Sequence, residues 1–325
     1  MIIRPPTPEN IREAAAMLRA GQLVALPTET VYGLGADASN PEAATRVFAA
    51  KNRPADHPLI VHLADAEQMT EWARAIPKEA IALARAFWPG PLTMILPREA
   101  DVPDAVTGGQ DTVGLRVPDH PVALALLRAF GGGIAAPSAN RFGRISPTTA
   151  QHVEEEVGPH LAMILDGGPC TVGIESTILD LSRGEPVILR PGMIGIDAIA
   201  AVIGRRPRLR GHAENAPRVS GSLAAHYAPR TPMTIASAAE LQSTSADCAV
   251  LAHSVAPRSG TSMWITAPAD AHGYAHDLYA NLRALDTSGA TRILLETLPD
   301  GSDWDAVRDR VGRAVVGSGD EQDET

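Results

Sequence analysis

The sequence predicts an α/β protein: a twisted mixed-sheet domain, then a linker and a smaller Rossmann-like α/β domain. Three observations carry that reading. Over the first two-thirds of the chain, short apolar runs alternate with segments of helical period. Some strand-like runs follow one another with no helix between them, which a purely parallel sheet does not allow. At 325 residues, the chain is longer than one hydrophobic core usually spans.

The elements follow in order. "PENIREAAAMLRAG" puts Ile11, Ala14, Ala15 and Leu18 on one helical face and stops at Gly21. "LVAL" reads as a buried strand. Asn40-Pro41 open a second helix, with Asn as cap and Pro in the first turn, and it runs through "EAATRVFAAK". "HPLIVHL" is a strand, "KEAIALARAFW" a helix stopped by Pro89-Gly90-Pro91, and "LTMILP" and "TVGLRVP" are strands. "PVALALLRAF" is helical, "GGIAAPSAN" is a strand running into a polar loop, and "TTAQHVEEEVG" is a short helix to whose start Ser146-Pro147 contribute. "LAMILDGG", "STILDLS" and "PVILRPG" are three consecutive strands, and "GIDAIAAVIG" is a closing helix.

Periodicity is then lost while Pro, Gly and Arg rise. This sets the expected organisation: a first domain over 1–204, a linker or lid over 205–232, a small α/β domain over 233–317 and an acidic tail over 318–325. In the small domain "MTIA", "CAVLAH", "SMWITA" and "RILLETLP" are strands; "AHDLYANLRALD" and "WDAVRDRVGRAVVG" are helices.

Composition narrows the function. Apolar residues make up 45%, ordinary for a folded protein. The net charge is -10, against the excess of Lys and Arg that broad nucleic-acid binding relies on. Residues 1–206 hold 18 Lys and Arg against 23 Asp and Glu, and residues 207–325 hold 10 against 15, so neither part is a basic module. Cys170 and Cys248 are the only cysteines, too few for a disulfide framework or a multi-cysteine metal site. No apolar run approaches the roughly 18 residues of a membrane helix, and "MIIRPPTPEN" has no secretory pattern. The expectation is a cytoplasmic protein with no membrane partner.

Gly33-Leu34-Gly35-Ala36-Asp37-Ala38 fits the dinucleotide fingerprint G-x-G-x-x-A. That turn needs a strand ending at its first glycine and a helix opening near its last small residue. Here "LVAL" ends at Pro27 and the next helix waits until about Asn40, so the context fails at both ends. The Walker pattern is absent as well, and side chains must then do much of any phosphate binding.

Candidates exist. "KNRPADHPLIVH" gathers Lys51, Arg53, His57 and His62 within twelve residues. Pro54 and Pro58 suggest a rigid loop there, and Lys and Arg supply a point charge and a planar fork for phosphate, although a solvated helix end would carry the same letters. Ser138, Asn140 and Ser146 of "APSANRFGRISP" offer hydroxyls and an amide, residues that also serve turns and caps. Arg116 sits inside an apolar strand. "GIEST" and "ILRPG" add Ser176, Thr177 and Arg190. No spacing suggests a covalent nucleophile or a zinc site.

In order, "LPTETVYGLGADA", "KNRPADHPLIVHL", "FWPGPLTMIL", "GLRVPDHP", "APSANRFGRISPTTAQHV", "DGGPCTVGIESTILDL" and "ILRPG" resemble the threonylcarbamoyl-AMP synthase family, the YrdC-like proteins, over about residues 7–203. "HYAP" and the small domain resemble the longer, two-domain branch. The linker departs from that branch's Ser-Pro-Gly-Met, reading Ser220-Gly221-Ser222-Leu223. The resemblance makes "PTETVYGLG" a substrate-binding turn whose glycines allow close backbone approach.

The resemblance implies an enzyme that joins L-threonine, bicarbonate and ATP, with Mg2+, into threonylcarbamoyl-AMP and pyrophosphate. A downstream threonylcarbamoyl-transferase complex then modifies tRNA; binding of tRNA by this chain is possible but not required. It further implies that Thr30, His62, Arg116, the Ala136 backbone and Ser176 hold L-threonine. Arg53, His57, Thr112, Ser138, Ser146, Arg190 and Tyr227 would surround ATP. Lys51 and Asn140, with Arg53, would act on the phosphates or the carbamate, and no protein side chain stands out as a metal ligand. The rival readings are an RNA-binding YrdC-like module and a paralogous carbamoyl or adenylate enzyme.

Overall fold

The computed structural model describes residues 2–210, 216–221 and 223–319. The chain forms two compact units. The first comprises Met1–Phe142, Pro147–Thr171 and Glu175–Ser222; the second comprises Gly143–Ser146, Val172–Ile174 and Leu223–Thr325.

The first unit is an 11-stranded sheet. Its strands are β1 (Ile3–Arg4), β2 (Val24–Leu26), β3 (Gly33–Asp37), β4 (Ile60–His62), β5 (Leu92–Pro97), β6 (Thr112–Arg116), β7 (Ile134–Ala135), β8 (Met163–Leu165), β9 (Thr177–Asp180), β10 (Val187–Arg190) and β11 (Arg208–Leu209). They lie in the order β1-β8-β2-β3-β7-β4-β6-β5-β9-β10-β11. The sheet is mixed: β4 runs parallel to β6 and β5 to β9, while β2–β3, β3–β7, β5–β6 and β9–β10 are antiparallel.

Its core lies on both faces. Val24 and Leu26 pack with Ala14, Leu18 and Leu126, whereas Ala25 packs in the cluster of Val47, Phe48 and Leu83. Alternate residues of one strand thus enter two cores, which is why "LVAL" is apolar throughout. The helix Pro41–Lys51 opens as expected: the Asn40 side chain accepts from the backbone N–H groups of Glu42 and Ala43, and Pro41 stands in the first turn.

Two local expectations are corrected. Gly33 and Gly35 do not lie in a turn but in β3, and the turn occupies the residues before them. Gly35 is there for packing. A Cβ on Gly35 would stand 2.8 Å from the Val24 carbonyl oxygen and 2.9 Å from the Leu26 side chain. The helix Ala150–Val157 is capped not by Ser146 but by Thr149, whose hydroxyl accepts from the N–H of His152.

The described part of the linker is partly ordered into the first unit. Arg208–Leu209 pairs with β10, and Val219 joins Ile95, Ile178 and Leu189 in an apolar cluster. Residues 211–215 and 222 of the expected linker, and 320–325 of the expected 318–325 tail, lie outside the described residues.

The second unit carries a four-stranded parallel sheet of β12 (Met233–Ala236), β13 (Cys248–Ala252), β14 (Met263–Thr266) and β15 (Arg292–Glu296), ordered β12-β15-β13-β14. The helix Ala271–Asp286 buries Tyr274, Leu278, Tyr279, Leu282 and Leu285 along one stripe, at successive spacings of four, one, three and three residues. A short helix at Ala238–Gln242 was not expected; Ser237 and Glu240 close it with a capping box. At the end of β15, Glu296 accepts from the backbone N–H groups of His253 (2.7 Å) and Ser254 (2.9 Å). Among the described residues no helix is long and apolar enough to cross a membrane.

Candidate active site

The turn between β2 and β3 is shaped by Thr28. Its hydroxyl accepts from the N–H groups of Thr30 and Val31, both at 3.2 Å, and donates to the Val31 carbonyl at 2.6 Å. This closed turn presents Glu29 and Thr30 inward; they are 4% and 1% exposed. Both meet Arg116, the last residue of β6. Arg116 Nη1 donates to Thr30 Oγ1 at 2.9 Å, Nε donates to Gly90 O at 3.3 Å, and Nη2 is 2.6 Å from Glu29 Oε1. Arg116 is therefore an inward, buried strand arginine rather than a solvated one.

The ion pair is close but poorly aligned for hydrogen bonding. Neither Glu29 oxygen, nor Arg116 Nη2, has a hydrogen-bond partner. An unsatisfied buried polar group costs roughly 1–3 kcal/mol, so this corner has polar capacity to spare. His62 is the register partner of Arg116 across the parallel β4–β6 pair, and its Nδ1 also lacks a partner. Burial, then the charge of Arg116, push the His62 pKa down to about 3, so the ring is neutral at physiological pH.

Ser176 stands just before β9. Its hydroxyl is 2.8 Å from Thr93 Oγ1, and Arg190 Nη2 donates to it at 3.2 Å. Arg190 also donates from Nε and Nη2 to the Ser176 carbonyl and from Nη1 to the Ser220 carbonyl. Arg53 shares the same linker residue: its Nη2 donates to Ser220 Oγ at 3.1 Å and to Pro58 O at 3.0 Å.

Lys51 and Arg53 are not a solvated helix end. Lys51 is the last residue of its helix, and Asn52 follows in the left-handed region at φ 51. The chain then turns back so that the Arg53 N–H bonds the Phe48 carbonyl at 2.9 Å. Lys51 is 2% exposed and Arg53 9%. The Lys51 ammonium donates to the carbonyl of Ser138 at 2.5 Å and to that of Asn140, with Asn140 Oδ1 at 3.4 Å. Burial, and then the charge of Arg53, push its pKa well below the ordinary lysine range, while the negative charges of Glu156 and Glu175 work the other way.

The remaining expected residues divide. Ser138 bridges Gly33, and the Ala136 N–H donates to Ile60 O at 3.0 Å, so the 136–140 segment is pinned beside the Thr28–Thr30 turn. His57 meets Phe142 edge-on at 5.5 Å. Thr112 opens β6 and lines a small cleft with Pro58, Gly114 and Ser220. Ser146 and Tyr227 belong to the second unit. There Tyr227, at φ 61 and 1% exposed, lies 5.7 Å from the Tyr279 ring and under the Arg310 guanidinium at 5.4 Å. Glu29 was not among the expected residues. The signal was a carboxylate between two threonines, flanked on both sides by apolar strand.

Lys51, Arg53, Arg116 and Arg190 are all buried among hydroxyls and strand ends of an α/β protein, a concentration of positive charge that suits small anionic ligands. The family model described as "Telomere recombination" (Sua5/YciO/YrdC) matches residues 16–192, and that of the threonylcarbamoyl-AMP synthase C-terminal domain matches residues 194–315. A threonylcarbamoyl-AMP synthase of Bacillus subtilis is 40% identical over 323 residues, 95% of this chain and 93% of the relative. One from Pyrococcus abyssi is 47% identical over 229 residues, 70% of this chain and 67% of the relative. The crystal structure of P. abyssi Sua5 complexed with L-threonine superposes at a TM-score of 0.88 with 37% identity, covering 97% of each chain. The chain belongs to the Sua5/YciO/YrdC family, in its two-domain form.

Proposed function

We propose that this chain is an enzyme that makes L-threonylcarbamoyl-AMP and pyrophosphate from L-threonine, bicarbonate and ATP by nucleotidyl transfer. The observation that carries the reading is Arg116: a buried guanidinium held on a strand end by Thr30 and Gly90, with Nη2 not hydrogen-bonded. Similarity to relatives named threonylcarbamoyl-AMP synthase, and to a Sua5 structure with L-threonine, supports it.

In this reading Arg116 takes the threonine carboxylate in a charge-assisted pair, with Thr30, the neutral His62, the Ala136 backbone and Ser176 around the rest of the amino acid. Arg53, His57, Thr112, Ser138 and Arg190 surround ATP, and Lys51 and Asn140 face the reacting groups. The threonine amine forms a carbamate with bicarbonate, releasing water. A carbamate oxygen then bonds to the α-phosphorus of ATP as the bond to pyrophosphate breaks. Both steps bring anions together, so neutralising and aligning them supplies most of the catalysis. Among the described residues no group of three or more His, Cys, Asp or Glu is gathered to hold a metal; a Mg2+ brought in with ATP would be held largely by the phosphates and would help to neutralise their charge. The adenylate passes to a threonylcarbamoyl-transferase complex that modifies tRNA.

Mass spectrometry of a reaction with 13C-bicarbonate tests the proposal. A threonylcarbamoyl-AMP product carrying the label, formed only with threonine and ATP present, is expected. ATP consumption that is indifferent to threonine and bicarbonate would overturn it.

A further inference from the structure

The Glu29–Arg116 pair has a feature that a structural ion pair does not need. Both side chains are 5% exposed and 2.6 Å apart, yet both Glu29 oxygens and Arg116 Nη2 are without hydrogen-bond partners. The turn that carries Glu29 is locked by Thr28, and Thr30 ties it to the same guanidinium, so the carboxylate cannot simply swing out to water. A carboxylate oxygen accepts more than one donor, and this one receives none.

We propose that Glu29 receives the α-ammonium group of the amino-acid substrate. The assignment rests on the reading that Arg116 takes the substrate's carboxylate. A free amino acid is a zwitterion. Its carboxylate brings acceptors to the guanidinium and its ammonium brings three donors to Glu29. One ion pair opens into two, the orphaned atoms gain partners, and the net charge of the buried corner does not change. A hydroxy acid with the same carboxylate brings a second negative charge beside Glu29 and nothing to offset it. Glu29 therefore selects α-amino acids against their deaminated analogues, a discrimination made by leaving a buried charge unpaired.

Calorimetry of the full chain with L-threonine and with 3-hydroxybutanoate, which keeps the carboxylate and hydroxyl but lacks the amine, tests this. The unaltered protein should bind threonine at least tenfold more tightly. In Glu29→Gln threonine affinity should fall roughly ten- to hundredfold, the range of a lost hydrogen bond to a charged group, while 3-hydroxybutanoate should bind as well as before or better. Glu29→Asp should recover part of the preference. Equal losses for both ligands in Glu29→Gln would overturn the proposal and make Glu29 only a prop for Arg116. Should that variant not fold, the unaltered protein still decides, since equal affinity for the two ligands sinks the proposal. Threonine binding that survives Glu29→Gln unchanged overturns Glu29 alone, whereas an unaltered protein that binds no threonine overturns the substrate reading with it.

Discussion

The ammonium of Lys51 lies 2.5 Å from the carbonyl oxygen of Ser138 and so ties the end of a helix to the loop that follows β7. The same nitrogen holds the Asn140 carbonyl. Lys51→Met keeps the length of the side chain and removes both ties. Hydrogen bonds to charged groups are worth about 1.5–3 kcal/mol each, so a clear drop in melting temperature is expected together with a large loss of ATP turnover. An unshifted melting curve would show that the loop is held without Lys51.

Arg116→Ala should weaken threonine binding by roughly ten- to hundredfold while ATP binding is spared, as expected for one charge-assisted pair. It also leaves Glu29 buried without its cation, which destabilises the fold by about 3–5 kcal/mol. Calorimetry with each ligand and a denaturant titration check the two effects; an unchanged threonine affinity would remove Arg116 from the site.

His62 gives stability a pH dependence whose sign is fixed. Its pKa is about 3 in the folded chain against 6.5 ordinarily. As pH falls below 6.5 the unfolded chain takes up a proton that the folded chain refuses. Stability is therefore lost progressively between 6.5 and 3, by on the order of 4–5 kcal/mol in full at about 1.4 kcal/mol per pKa unit. Above 6.5 the residue contributes nothing to the slope. His62→Asn should flatten the acid limb in urea titrations across that interval, and an unchanged slope would contradict the assignment.

Val219 should behave as a core residue although it lies in a linker. It is 3% exposed among Ile95, Ile178 and Leu189. Val219→Ala removes two methyl groups, at about 0.8 kcal/mol each before any cavity term. A loss of about 1.5 kcal/mol or more is expected in denaturant unfolding. A passive tether would lose nothing.

In the second unit, Glu296 anchors the loop after β13. Burial alone would raise its pKa, but the Ser254 hydroxyl and the N–H groups of Ser254 and His253 hold it down to about 2. The stability it supplies is present above the ordinary carboxylate pKa near 4.3 and is lost as pH falls toward 2. Glu296→Gln should lower stability at neutral pH by about 2 kcal/mol or more, with the difference from the unaltered protein shrinking at pH 3. Thermal melts at the two pH values check this.

Much of this architecture is legible in the chain because the signals are local. Asn40-Pro41 announces a helix, and "LVAL" a strand with both faces covered. What escapes is what depends on distant partners. β3 reads Gly-Leu-Gly-Ala-Asp, a poor strand by propensity, and becomes one only because β2 and β7 flank it. Lys51 and Arg53 stand out as site candidates, but no local mark shows that both are buried, with the chain turning through a left-handed Asn52 between them. Glu29 matters because of Arg116, which lies 87 positions later in the numbering and carries no local mark of the pairing. The second unit draws in Gly143–Ser146 and Val172–Ile174, segments that no composition shift sets apart.

Gly35 has a consequence at the level of the gene. Any single-base change that replaces a glycine by another residue installs a β-carbon, and at this position that atom would press on the Val24 carbonyl and the Leu26 side chain. The site is closed to one-step drift, whatever the protein binds. Letters that spell a nucleotide-binding signature here are kept by strand packing, and their persistence among descendants of this gene would record steric exclusion, not a ligand.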